Sequence, residues 1–361
     1  MSLIPATILT GFLGAGKTTL LKRILTEAHG QKIAVIENEF GEENIDSDIL
    51  VSDTSEQIIQ MSNGCICCTI REDLRVTLQD LAEKKRKGEL SFDRVVIETT
   101  GLADPGPVAQ TFFMDDEIAE SYLLDSILTL VDAKHAPTQL NDRQEARRQV
   151  GFADQIFISK SELVSKDALE ALQHRLKHMN PRAPQQTVHF GEVAIKDVFD
   201  LRGFNLNAKL DIDPDFLKVD DHDHAHDHAH HHHAEGEACD HPSHSPSHDH
   251  THDHSHGHHH HTDDDVKSFV FKSDRPFDPA KLEDFLGAIV NIYGPRMLRY
   301  KGVLYMQGTD RKVIFQGVHQ LMGSDLGPAW GPEEHKSSKM VFIGIDLPKD
   351  ILLQGMEQAL V

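Results

Sequence analysis

The sequence predicts an α/β fold with a mostly parallel sheet and helices on both faces, followed by a small α+β domain. Three observations carry that expectation. Short apolar runs alternate with longer helical patterns through the first two hundred residues, the rhythm of βαβ units. A histidine- and aspartate-rich tract then interrupts all hydrophobic patterning. Beyond it, strand-like and helix-like segments resume for about 95 residues, an ordinary small-domain length.

The expected strands of the first part are Ala6–Thr10, Ile33–Glu37, Arg94–Glu98, Ser126–Val131 and Gln155–Ser159, with helical segments such as Lys17–Ala28 and Arg71–Lys87 between them. Asp220 to Asp265 has almost no apolar residues and no face to bury, so it is expected to be a disordered linker. The second part should hold strands at Ser268–Lys272, Val303–Met306, Lys312–Gln316 and Met340–Ile345 and a helix at Pro279–Ile292. The organisation is therefore 1–219, 220–265 and 266–361.

Composition narrows the function. The formal net charge of the 361-residue chain is -22, which argues against nucleic acid as a partner, since phosphate backbones need a basic face. No segment approaches transmembrane length and the N-terminus lacks a basic, cleavable leader. The expected setting is cytoplasmic, with no membrane partner. Of four cysteines, Cys65, Cys67 and Cys68 lie within four positions. That spacing suits a metal or redox role in a reduced compartment rather than a disulfide framework.

The strongest motif is Gly11-Phe12-Leu13-Gly14-Ala15-Gly16-Lys17-Thr18. It fits G-x-x-x-x-G-K-[ST] and sits between an expected strand and an expected helix, the context that confirms a phosphate-binding loop. The glycines let backbone N–H groups face phosphates at a helix N-terminus. Lys17 should reach the β and γ phosphates and the Thr18 hydroxyl should ligate Mg²⁺, with Thr19 continuing the site. Val95-Val96-Ile97-Glu98-Thr99-Thr100-Gly101 reads as the second phosphate-side motif. There Glu98 stands beside Mg²⁺ and Gly101 offers its N–H to the γ-phosphate; Asp104 lies close by in sequence. Ser159-Lys160-Ser161-Glu162 follows the fifth expected strand, where guanine-reading proteins carry Asn/Thr-Lys-x-Asp. Glu162 adds a methylene and Ser159 replaces Asn or Thr, so guanine is preferred over adenine but adenine stays open.

Gly64-Cys65-Ile66-Cys67-Cys68 offers three soft thiolates and leaves a fourth tetrahedral position open, which suits transfer or sensing better than a closed structural site. Inert buried cysteines and a redox centre are the alternatives. Glu37 ends the second expected strand and Glu42 follows it. In a parallel sheet both would emerge near the phosphate loop, as metal ligands, as partners of ligands or as solvated carboxylates. The tract holds His222, His224, His226, His228, His230, His231, His232, His233, His258, His259, His260 and His261, a composition that binds several ions weakly. Arg299-Tyr300-Lys301-Gly302 and the lone Trp330 are candidates for a client surface, with ordinary packing the plainer reading.

The segments GFLGAGKTTLL, ENEFGE, GCICC, VVIETTGLADP and LRYKGVLY with VIFQGV, in this order, resemble the CobW-type P-loop GTPases, a family of metallochaperones. The resemblance spans nearly the whole chain outside the histidine tract. It implies a SIMIBI-like P-loop NTPase fold, slow hydrolysis of GTP with Mg²⁺, and delivery of Zn²⁺ to a client metalloprotein. It also implies metal-binding roles for Cys65, Cys67, Cys68, Glu37 and Glu42. Co²⁺ or Ni²⁺ insertion for a cofactor pathway and zinc storage by the tract are the competing expectations; assembly of copies under nucleotide or metal control stays open.

Overall fold

The structure is a computed structural model that describes residues 3–26, 30–38, 58–61, 69–201, 203 and 265–361, with side chains left out at 37, 38, 58–61 and 69–72. Its first part is a seven-stranded, wholly parallel sheet in the order β3-β2-β4-β1-β5-β6-β7. The strands are β1 (Ile4–Gly11), β2 (Ile33–Asn38), β3 (Ile58–Met61), β4 (Arg94–Glu98), β5 (Tyr122–Asp132), β6 (Gln155–Ser159) and β7 (Gln185–Val188). Helices α1 (Lys17–Thr26), α2 (Thr69–Lys87), α3 (Pro105–Met114), α4 (Asp116–Ser121), α5 (Ala136–Asp142), α6 (Gln144–Phe152) and α7 (Lys166–Met179) connect them.

Side-chain alternation explains why both faces need helices. Ile4, Ala6 and Ile8 of β1, with Val95 and Ile97 of β4, enter one apolar cluster that includes residues of α2, α3, α6 and α7. Leu9 of β1 and Val96 of β4 enter another, beneath α1. With both faces covered, the strands read as apolar runs rather than as an alternating pattern.

The second part is a five-stranded antiparallel sheet in the order β11-β10-β9-β12-β8. It comprises β8 (Val266–Ser273), β9 (Met297–Leu304), β10 (Arg311–Val318), β11 (Leu321–Ala329) and β12 (Ser338–Ile345), with α8 (Pro279–Tyr293) and α9 (Lys349–Gln358) on one face. Every residue of β12 is buried. Met340 and Phe342 point into the cluster with α8 and α9, while Val341, Ile343 and Ile345 join the cluster of the first part. The two sheets thus share one apolar interior through α6 and α3.

Some expectations need correction. The strand placed at Val303–Met306 is β9 and begins at Met297. Sequence patterning passed over β3, β7 and β11, which are all edge strands. Arg299, Tyr300 and Trp330 are buried, so packing accounts for them rather than an exposed client surface. The Tyr300 hydroxyl donates to the Leu321 carbonyl at 3.0 Å, and Arg299 donates to the Gly203 carbonyl at 2.8 Å. The tract 220–264 lies outside the described residues.

Candidate nucleotide site

The centre of the sheet ends in the glycine loop. Gly11, Gly14 and Gly16 have φ of 143°, 75° and 99°, a region side chains disfavour. At Gly11 a Cβ would also lie 2.4 Å from the Leu130 carbonyl oxygen of β5. The loop closes with Ala15 N–H donating to the Phe12 carbonyl at 3.1 Å. Phe12 packs against the core, Leu13 and Thr19 are exposed, and Ala15 is buried. Lys17 is buried, and its ammonium donates to the Gly11 carbonyl at 2.9 Å. Burial pushes the Lys17 ammonium below its ordinary value, against the opposing pull of the Glu98 carboxylate. Such a cation, held by main-chain oxygens in a dry loop, gains from an anion brought beside it.

β4 is the direct neighbour of β1, so Glu98 arrives beside the loop. The Thr18 hydroxyl donates to Glu98 Oε1 at 3.3 Å. This pair of oxygen donors at a phosphate loop fits a hard divalent cation such as Mg²⁺. Beyond Glu98, Thr99 ties back to β1 through its N–H to the Leu9 carbonyl (2.9 Å) and its hydroxyl to Thr10 Oγ1 (2.9 Å). Gly101 then presses on the loop: a Cβ there would meet Leu13 N at 2.5 Å. Asp104 caps α3, accepting from Gly106 N–H at 2.9 Å, and pairs with Arg148 at 2.6 Å.

On the other side of the loop, Ser159 is buried and its hydroxyl donates to the Ala15 carbonyl at 2.7 Å. Lys160 takes a left-handed backbone (φ 56°) and its ammonium spans the Gly14 carbonyl (2.8 Å) and Asp132 Oδ2 (2.7 Å). Glu162 is exposed and lies 3.5 Å from the His189 ring. The loop after β7 is drawn in as well, because Gly191 sits 3.0 Å (measured from its would-be Cβ) from Leu20 Cα of α1.

Sequence reasoning missed Asp132. It is buried at the end of β5 and accepts from Lys160, the His135 ring at 2.8 Å, and the N–H groups of Lys134 and His135. Burial pushes its carboxyl up, but the Lys160 and His135 hydrogen bonds outweigh that and hold it below its ordinary value. The signal was present, since a carboxylate ending an apolar strand is also what marked Glu98. Gln149, Arg148 and His189 carried no comparable signal.

At the metal-binding candidates, the backbone of Glu37 pairs with that of Glu98 across β2 and β4. Glu42, Cys65, Cys67, Cys68 and the tract histidines lie outside the described residues. Among the described residues no group of three or more His, Cys, Asp or Glu is placed to hold a metal, and no helix is long and apolar enough to cross a membrane.

Comparison with known proteins now decides the kinship. Residues 5–187 match the CobW/HypB/UreG nucleotide-binding domain and residues 266–360 the cobalamin synthesis protein CobW C-terminal domain. The chain belongs to the CobW family. This CobW-family chain is 39% identical to the zinc chaperone YjiA of Escherichia coli, over 97% of its own length and 96% of the relative's. It is 29% identical to a zinc chaperone CobW of a Sinorhizobium species, over 95% and 93%. The solved structure of Zn(II)-bound YjiA GTPase from E. coli superposes with a TM-score of 0.73 at 34% identity, covering 99% of each chain. A second Zn(II)-bound structure of that GTPase carries alanine in place of one glutamate and two cysteines.

Proposed function

We propose that this chain is a GTP-driven metallochaperone that binds zinc at its cysteine motif and passes it to a client metalloprotein. It is a GTPase: the glycine loop, the Thr18–Glu98 pair and Gly101 meet at the centre of a parallel sheet, where a phosphate chain would lie. Lys17 would neutralise phosphate charge directly, while Thr18 and Glu98 would hold the Mg²⁺ that supplies the rest of the positive charge. No residue here needs to form a covalent intermediate, since positioning and charge neutralisation carry this chemistry, and slow intrinsic turnover is expected.

The observation that carries the zinc part is topological. β2 delivers Glu37 in register with Glu98, and the seven residues 62–68 join the end of β3 at Met61 to the start of α2 at Thr69. Cys65, Cys67 and Cys68 fall within that connection. Three strand spacings, about 14 Å, separate β3 from β1. Loops ordered by a γ-phosphate can therefore carry the thiolates with them. Glu37 or Glu42 supplies an oxygen beside the thiolates. Three thiolates favour Zn²⁺ over Co²⁺ or Ni²⁺, and the tract histidines collect exchangeable ions. Guanine is read by Glu162 and the Lys160 stem; Lys160 held by Asp132 and Gly14 supports that role.

The test is zinc competition against a chromophoric chelator, with GDP and with a non-hydrolysable GTP analogue. Tight binding of one zinc per chain, changed at least tenfold in Kd between the two nucleotides and lost in Cys67→Ala, is expected. Equal zinc affinity in both nucleotide states would sink the switch.

A further inference from the structure

The segment that follows β4 is irregular from Thr100 to Asp104, yet Gly101 within it is buried. The Thr100 carbonyl accepts from the Ala103 N–H at 3.1 Å within the segment, but the Gly101 and Ala103 carbonyls need partners from elsewhere. One side chain supplies them. Gln149 on α6 is 1% exposed, and its amide nitrogen donates to the Gly101 carbonyl at 3.1 Å and to the Ala103 carbonyl at 3.0 Å. Both contacts are acceptors, so the NH₂ end of the amide must face them. The backbone at Gln149 is itself fixed, because its main-chain carbonyl accepts from the Thr129 hydroxyl of β5 at 2.9 Å. Next to it, Arg148 grips Asp104. Helix α6 thus holds the whole segment in one place against the glycine loop.

We infer that Gln149 is a positioning residue for GTP hydrolysis, fixing the backbone of Gly101 to Ala103 so that the Gly101 N–H meets the γ-phosphate. This rests on the reading of Gly101 as the γ-phosphate contact. Gln149 touches no nucleotide; it acts through the peptide groups flanking Gly101. A GDP complex lacks the group that Gly101 addresses. Loss of Gln149 therefore separates the two nucleotides, which a general packing defect would not do.

The experiment uses the full chain with Mg²⁺ and compares Gln149→Met, Gln149→Glu and Gly101→Val with the parent. Three quantities are measured: Kd for GDP, Kd for a non-hydrolysable GTP analogue, and kcat for GTP. Gln149→Met keeps the volume and removes both donors; Gln149→Glu turns donors into acceptors. Both should lower kcat about tenfold or more and weaken the GTP analogue, with GDP affinity within about twofold, and Glu should be the worse. Unchanged kcat in both variants overturns the inference. So does an equal loss of GDP and GTP-analogue affinity, which would mark a purely structural residue. Gly101→Val separates the two levels. If it leaves kcat and the GTP–GDP difference intact, the reading of Gly101 itself fails. If it impairs them while the Gln149 variants do not, the role of Gln149 alone fails.

Discussion

Asp132 shows how a single buried charge can organise one side of the candidate nucleotide site. Its carboxylate holds the Lys160 ammonium, the His135 ring and two backbone N–H groups, so four directions converge on one group. Asp132→Asn should weaken GDP and GTP alike, about tenfold, because the loss falls on the side away from the γ-phosphate; titration with a fluorescent GDP derivative checks it. The pH dependence follows from a carboxyl held below its ordinary value. The stability it contributes is complete above the unfolded carboxyl's pKa, near 4, and disappears as pH falls through the lower folded value. Denaturant curves for parent and Asp132→Asn should therefore differ at pH 7 and converge in strong acid. At the opposite end of the strands, Arg94 is 1% exposed, bonds Asp125 at 3.0 Å, Thr7 at 3.2 Å and Asp200, and stacks on Phe199. Arg94→Ala leaves the Asp125 charge buried without the guanidinium and should cost about 3–5 kcal/mol in unfolding free energy.

Helix α6 is the element that both halves of the molecule share. One side holds Gly101, Ala103 and Asp104; its last turn meets the second sheet, where Gly151 lies against Leu298, Val266 and Ile343. The turn between β10 and β11 completes the joint. His319, with φ 52°, packs its ring edge-on to Phe152 at 5.2 Å and lies over Gly106 at the start of α3. A Cβ on Gly106 would stand 2.5 Å from His319 Nε2 and 2.9 Å from Phe152 Cζ. Gly106→Val should therefore lower stability by about 1–3 kcal/mol through overpacking of this joint, measured by urea unfolding. Burial pushes His319 below its ordinary 6.5; the Asp104 carboxylate and the Gly294 and Pro295 carbonyls pull the other way, and Arg148 adds to the lowering. The unfolded chain then binds the extra proton first, so stability falls as pH drops below about 6.5. His319→Phe should flatten the stability profile between pH 7 and 5.5, and an unchanged profile would remove His319 as its source.

At the scale of the molecule, the two sheets are held together by direct contacts among the described residues. Gly203 is gripped by Arg299, and Asp265 by Arg147, so the described residues before and after the stretch 204–264 are both tied to the folded body. Val266, Leu298, Val341 and Ile343 of the second sheet belong to the apolar cluster of the first. Deleting 222–261 should shift the Tm by less than about 2 °C in the presence of a chelator, since that stretch has almost no apolar residues to bury. The same deletion should lower the number of weakly bound metal ions per chain while leaving the site tested by Cys67→Ala.

The sequence by itself determined the glycine loop, the carboxylate that ends β4, the parallel architecture and the extent of the tract that cannot bury a face. Each is a local pattern whose chemistry needs particular residues at a fixed spacing, or an apolar run long enough to be covered twice. Edge strands β3, β7 and β11 escaped because only one neighbour pairs with them, so short and polar segments such as Gln185–Val188 suffice. Only the tertiary structure decided that Gln149 faces Gly101, that Asp132 anchors Lys160, that Tyr300 and Trp330 are interior, and that α6 joins the two sheets. Those facts depend on which elements meet at long separation in the chain. A buried amide or carboxylate takes its meaning from the carbonyl or ammonium the fold brings to it, and no spacing along the chain records that meeting.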